Sequence, residues 1–293
     1  MKGIREIRGR IKAVKNTAQI TKAMQLVASS KMKRAQDASL AGRPYALLLA
    51  QILESVVDQM PEAEHPFFHP RPVKKRGILV IATDKGLCGA LNGNLFRLLT
   101  DVKMDAASFV TVGRKASQFI ARSGRELLAE FSVTDRVGYN EVRPVVEFLA
   151  QAYMDGRIDT IEVLYSHFVN TLRQDPSLIP LVPFHSLREE LAKLRDKLGS
   201  RDGDEINDDR EINFEPSTHV IVEQLPPLFL KQQIYQMIIT GKASEHSARM
   251  VAMKNASDNA KQLVADLSLE YNKARQAAIT QEILEIAAAS AAG

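Results

Sequence analysis

The chain has no tryptophan and one cysteine, and aromatic residues make up only 6% of its 293 residues. A single thiol excludes an internal disulfide and any metal site built from several cysteines. No apolar run reaches the ~18 residues that a membrane-spanning helix needs, and the opening MKGIREIRGR lacks the apolar segment of a secretory signal. Proline and glycine are missing from long stretches. Residues 3–41 hold no Pro, and Ser244 to Ala289 holds neither. Acid is scarce at the start: residues 1–40 carry ten Lys or Arg against Glu6 and Asp37, a net of +8, which leaves −4 for the remainder of a chain at +4. Such a basic arm fits nucleic acid, and it fits equally a helix working beside acidic protein surfaces.

What is present is helix at both ends. Ser244–Ala289 is rich in Ala and other strong helix formers, so it reads as one continuous helix of roughly 70 Å at about 1.5 Å per residue. Ala260, Val264, Leu267, Tyr271, Ala274 and Ala278 step by fours and threes, the pattern of a coiled-coil seam. Ile279, Ile283 and Ile286 form a second stripe on another face, which predicts a tip that is surrounded. At the other end, Ile4, Ile7, Ile11 and Val14 open a seam that continues as Ala18, Thr21, Gln25, Ala28, Met32 and Ala35. Gly42 and Pro44 then predict a bend before the helical run from Tyr45 to Val57.

Between the helices the periodicity changes. Residues 61–76 carry four prolines and read as a connector without regular structure. Buried-strand patterns follow at 77–83, 108–113, 160–168 and 178–184, the last broken by prolines and therefore expected at a sheet edge. Helical runs begin after the turn at 83–90, at Arg114 and near Asn140, and a short helix is expected at 186–198. The final helical region is expected from about Leu228, with Gly241 as a possible bend. The fold class is thus an α+β/α/β composite: a long antiparallel N- and C-terminal helical coiled coil with a central Rossmann-like α/β domain. The segments are 1–60, 61–76, 77–216 and 217–293.

Familiar chemical motifs are weak. TDKGLCG (83–89) follows a strand, but its Gly86 and Gly89 do not complete a dinucleotide or phosphate-loop fingerprint. Cys88 with His167 is a conceivable nucleophile and base, although lone cysteines are more often small buried hydrophobes. His65 and His69 stand four apart, but Pro66 and Pro70 argue against a helix that would align them on a metal. The acidic stretch 201–215 lacks the Gly and Glu positions of a calcium loop and reads as solvated.

Longer stretches carry a resemblance. IRGRIKAVKNTAQITKAMQLVASSKMKRAQ (7–36), TDKGLCGALN (83–92), VGRKA (112–116), ASEHSARMVAMKNASDNA (243–260) and YNKARQAAITQEILEI (271–286) resemble, in order, the gamma subunits of F-type ATP synthases. The resemblance covers essentially the whole chain. It implies a central-stalk rotor without catalytic residues, metal or cofactor, one copy per complex, turning inside an alpha3-beta3 ring and contacting the epsilon subunit and the proton-driven c-ring. By the same resemblance Lys22 and Met24 lie near an acidic loop of a beta subunit. Arg249, Arg275 and Gln276 meet catalytic subunits at a polar catch, and Ile279, Ile283 and Ile286 sit in a hydrophobic sleeve. The lone Cys88 lacks the partner of the chloroplast redox switch. With no organelle-targeting extension before Met1, a bacterial member is expected, peripheral on the cytoplasmic face of the cell membrane. A nucleic-acid-binding coiled coil is the alternative from charge alone.

Overall fold

The computed structural model describes residues 2–59, 65–100, 106–184 and 218–291. The expected helix at 186–198 and the acidic stretch 201–215 lie outside the described residues. The chain divides into two compact units, one made of Met1–Ser30 with Arg249–Gly293 and the other of Lys31–Ala248. Both terminal helices contribute to both units: α1 is Lys2–Ala41 and α6 is Thr218–Ala291.

In the first unit the two helices pack along the expected seams. Every seam position from Ile4 to Ala28 on α1 and from Ala260 to Ala278 on α6 is buried or half-buried, and the residues between them are mostly exposed. Burial is deepest at Thr21, Ala28, Ser257 and Ala260, which are small, and at the larger Met253. Small residues let backbones approach closely, and the hydroxyls among them are satisfied locally. Thr21 Oγ1 donates to Thr17 O at 3.0 Å, and Ser257 Oγ reaches across to Ala18 O at 3.5 Å.

In the second unit α1 stops at Ala41 and α2 (Arg43–Gln59) begins after a turn at Gly42. Pro44 has no N–H to give Leu40 O, which explains the interruption. The bend is fixed from α6. Gln236 Nε2 donates to Ser39 O and Oγ at 3.0 and 2.7 Å, and Gln232 Nε2 to Gly42 O at 3.5 Å. Numbers rise on one helix as they fall on the other, so the pairing here is antiparallel.

The central domain holds β1 (Arg76–Ile81), α3 (Leu91–Thr100), β2 (Ala107–Val112), α4 (Arg114–Arg122), β3 (Leu127–Phe131), α5 (Arg143–Met154), β4 (Thr160–Phe168) and β5 (Gln174–Val182). The sheet order is β3-β2-β1-β4-β5, parallel except for β5. Leu79, Ile81, Val110, Val163 and Tyr165 face Leu53, Leu149, Phe229 and Ile234 from α2, α5 and α6. Ile78, Val80, Phe109 and Leu164 face Leu95, Leu99 and Ile120 from α3 and α4. Helices thus cover both faces, and for that reason β1 and β2 are buried along nearly their whole length and are mostly apolar on both faces.

Four expectations need correction. β3, sequence LLAEF, was not foreseen, because Leu, Ala and Glu have little strand preference; its pairing with β2 (Val110↔Ala129, Val112↔Phe131) imposes the strand. α6 starts at Thr218 and carries Pro226 and Pro227 inside it rather than starting after them. Leu225, Phe229 and Leu230 are buried against the core at that point, and this packing outweighs the missing N–H groups. The connector is not wholly irregular: Pro66–Phe68 form a 3-10 turn, Phe67 is buried, and Arg71 holds the segment by pairing with Asp159 at 3.0 Å and stacking on Tyr153 at 4.1 Å. Gly241 lies within continuous helix; a Cβ there would stand 3.4 Å from Ile81 Cγ2, so this glycine serves close helix–strand contact.

Candidate functional surfaces

The turn after β1 is held from within. Thr83 Oγ1 donates to Lys85 O at 2.8 Å, Asn92 Nδ2 donates to Thr83 Oγ1 at 2.8 Å, and Asp84 Oδ1 accepts Arg114 N at 3.1 Å. Asp84 also faces the buried Lys242 of α6 at 3.7 Å. The cavity under this turn measures about 10 Å³, room for about one water. The TDKGLCG residues therefore tie β1, α3, α4 and α6 together. Cys88 is buried with Asn92 Nδ2 at 3.5 Å, and His167 Nδ1 stands 3.2 Å from the Tyr165 hydroxyl. His65 Nδ1 accepts Phe67 N at 3.2 Å and so caps the 3-10 turn, and burial pushes its pKa down. No group of three or more His, Cys, Asp or Glu able to hold a metal occurs among the described residues.

The expected contact residues lie on helix surfaces. Lys22 is exposed, with Nζ 3.2 Å from Gln25 Oε1, and Met24 is half-buried. Arg5, Arg8, Lys12, Lys15 and Lys22 each follow a seam residue, so half of the ten basic residues in 1–40 form one row beside the seam. Arg275 and Gln276 are exposed, and Arg249 is half-buried where the α6 part of the first unit begins. Ile279, Ile283 and Ile286 are 47%, 60% and 70% exposed. Their neighbours Ala274 and Ala278 face inward, so the isoleucines lie off the seam. Leaving a large aliphatic side chain in water forgoes about 1.5–3 kcal/mol of burial, and several on one face mark an interaction surface. Leu284, Ile20, Leu26 and Val27 are also exposed, and the sequence reading did not single them out. Their signal was available: each is a large apolar residue off the seam register.

Paired helices with an apolar tip and a basic row, joined in one chain to a doubly wound domain, define a protein that works through its helix surfaces. The comparisons give that class its family. The ATP synthase family model matches residues 3–292. The gamma chain of Opitutus terrae ATP synthase is 52% identical over 289 residues, covering 99% of this chain and 98% of that one. The gamma chain from Methylacidiphilum infernorum is 44% identical, covering 97% of each. A chain of the Euglena gracilis mitochondrial ATP synthase shares the fold at a TM-score of 0.70 and 19% identity, over 99% of this chain and 94% of its own length. The chain belongs to the ATP synthase gamma-chain family, and relatives from several bacteria stand among its matches.

Proposed function

We propose that this chain is the rotating central stalk of the F1 sector of an ATP synthase. It carries rotation from a proton-driven c-ring to the catalytic beta subunits and is itself non-catalytic. The nucleic-acid alternative finds no support in the family to which the chain belongs. The observation that carries the reading is the stripe Ile279, Ile283 and Ile286, exposed and off the seam. A stripe that the chain does not cover fits an enclosing apolar collar. Such a collar holds by excluding water and fixes few hydrogen bonds, which suits turning. Lys22 and Met24 would meet an acidic loop of a beta subunit, and Arg249, Arg275 and Gln276 would form the polar catch.

Switching a two-state site from about 1:99 to 99:1 takes ≈5.5 kcal/mol of differential contact energy. Exposed ion pairs contribute up to about 1 kcal/mol each, so the charged contacts alone fall short. Displacement of the catalytic subunits by a stiff two-helix shaft supplies the rest. In this reading the partners are the alpha3-beta3 hexamer, epsilon and the c-ring, with one copy of the chain per complex. The place is the cytoplasmic face of a bacterial membrane, consistent with no described helix being long and apolar enough to cross one. The test is reconstitution. Adding the chain to alpha and beta subunits should restore cooperative ATPase and rotation of a bead attached to the chain. A complex that assembles and hydrolyses ATP while the chain stays still would sink the reading.

A further inference from the structure

The loop between β3 and α5 is braced more firmly than its exposure requires. The Glu141 carboxylate accepts Thr134 N and Gly138 N, both at 3.0 Å, closing the loop from inside. Those hydrogen bonds, from Thr134 first, hold the Glu141 pKa low although burial opposes it. Asp135 stands at the tip of this brace. Its Oδ2 pairs with Lys31 Nζ on α1, and its Oδ1 lies 3.8 Å from Nε2 of the buried His246 on α6. One turn before His246, Lys242 is 3.5 Å from Glu245 and 3.7 Å from Asp84. Thus α6 is tied to two loops at the carboxyl edge of the sheet, and α1 is tied to the β3–α5 loop through Asp135.

That tie is ionic rather than packed. A cleft of about 370 Å³, lined by Lys31, Ala35, Ala38, Asp135, Val137 and Lys242 among others, separates α1 from the loop. Arg34 and Asp37 of α1 and Arg136 of the loop also border it. Removing the Asp135 carboxylate would take its acceptor from Lys31 and the neighbouring carboxylate from His246 in one step. We infer that Asp135 is a positioning residue for torque transfer: a pin joining α1 to the α/β domain, on which α6 is already packed, so that a twist applied to the domain reaches both helices together. The inference rests on the rotor reading and assigns the pin to one side chain.

The experiment uses the assembled complex, with the alpha3-beta3 ring fixed and a bead on the α/β domain. Angular stiffness is read from thermal fluctuations of the bead while ATP-driven rotation is stalled. Asp135→Asn and Lys31→Met should each lower the stiffness, and by the same amount, since each breaks the same pair. Lys31→Arg, which keeps a cation for Asp135, should retain most of the stiffness. Thermal unfolding of each chain, run in parallel, separates stiffness from stability. Wild-type stiffness in Asp135→Asn, or a Lys31→Arg chain as soft as Lys31→Met, overturns the pin. A wild-type chain that fails to rotate counts instead against the rotor reading.

Discussion

Gly113 shows how one residue fixes the central domain. Its φ is 99°, and a Cβ built there would lie 2.2 Å from Ala82 O. The backbone of the β2–α4 turn presses directly on the turn after β1, where Asp84 accepts the first N–H of α4. Gly113→Ala combines left-handed strain with a backbone collision, so it should destabilise the chain by about 3 kcal/mol. Urea unfolding read by circular dichroism checks this. Asp135 supplies a pH prediction. The hydrogen bond from Lys31 holds its carboxyl below the usual aspartate value, against the opposing effect of burial. A depressed folded-state pKa adds stability that is complete above about pH 4 and is lost as pH falls through the lower folded value. The stability difference between wild type and Asp135→Asn should therefore shrink as pH falls from about 6 to about 3. A constant difference across that range would show that the carboxylate carries no pH-linked stability.

At the scale of elements, the seams and the break at Gly42 were legible, whereas β3 and the start of α6 were not. Ala260, Val264, Leu267, Tyr271, Ala274 and Ala278 announce their facing by spacing alone, because a long helix without Pro or Gly has one way to repeat. β3 announced nothing, since its strand state comes from β2 beside it. Pro226 and Pro227 pointed to a helix boundary, but the buried apolar residues around them hold the helix through. The surface features were half legible. The isoleucine tip shows in the sequence as a second stripe, whereas Asp135, Lys31 and His246 are 104 and more residues apart along the chain and are joined only by the fold. The seam carries its own prediction. Val264 and Leu267 are half-buried where α6 meets α1. Changing either to Gly loses side-chain burial and costs about 1 kcal/mol of helix propensity. The expected outcome is a softer shaft and reduced torque under load in single-molecule rotation, with basal ATPase of the complex retained. Unchanged torque in both variants would mean that the seam does not set the stiffness.

At the scale of the whole molecule, two kinds of exposed surface respond differently to salt. The basic row of Arg5, Arg8, Lys12, Lys15 and Lys22 is exposed and attracts acidic partners over distances that shrink as ions are added, to about 3 Å at 1 M. The tip formed by Ile279, Ile283, Leu284 and Ile286 offers apolar area, whose burial is not screened in this way. If the row guides assembly and the tip retains it, high salt should slow incorporation into the alpha-beta ring while leaving preformed complexes intact. Replacing Ile279 and Ile283 with Asn removes much of the apolar hold and leaves the charged contacts. Complexes with that double variant should form at low salt and dissociate as salt approaches about 1 M, where the wild type remains assembled. Gel filtration of preformed complexes across a salt series measures this. Equal salt resistance in the two proteins would transfer the retaining role from the tip to the surfaces below it.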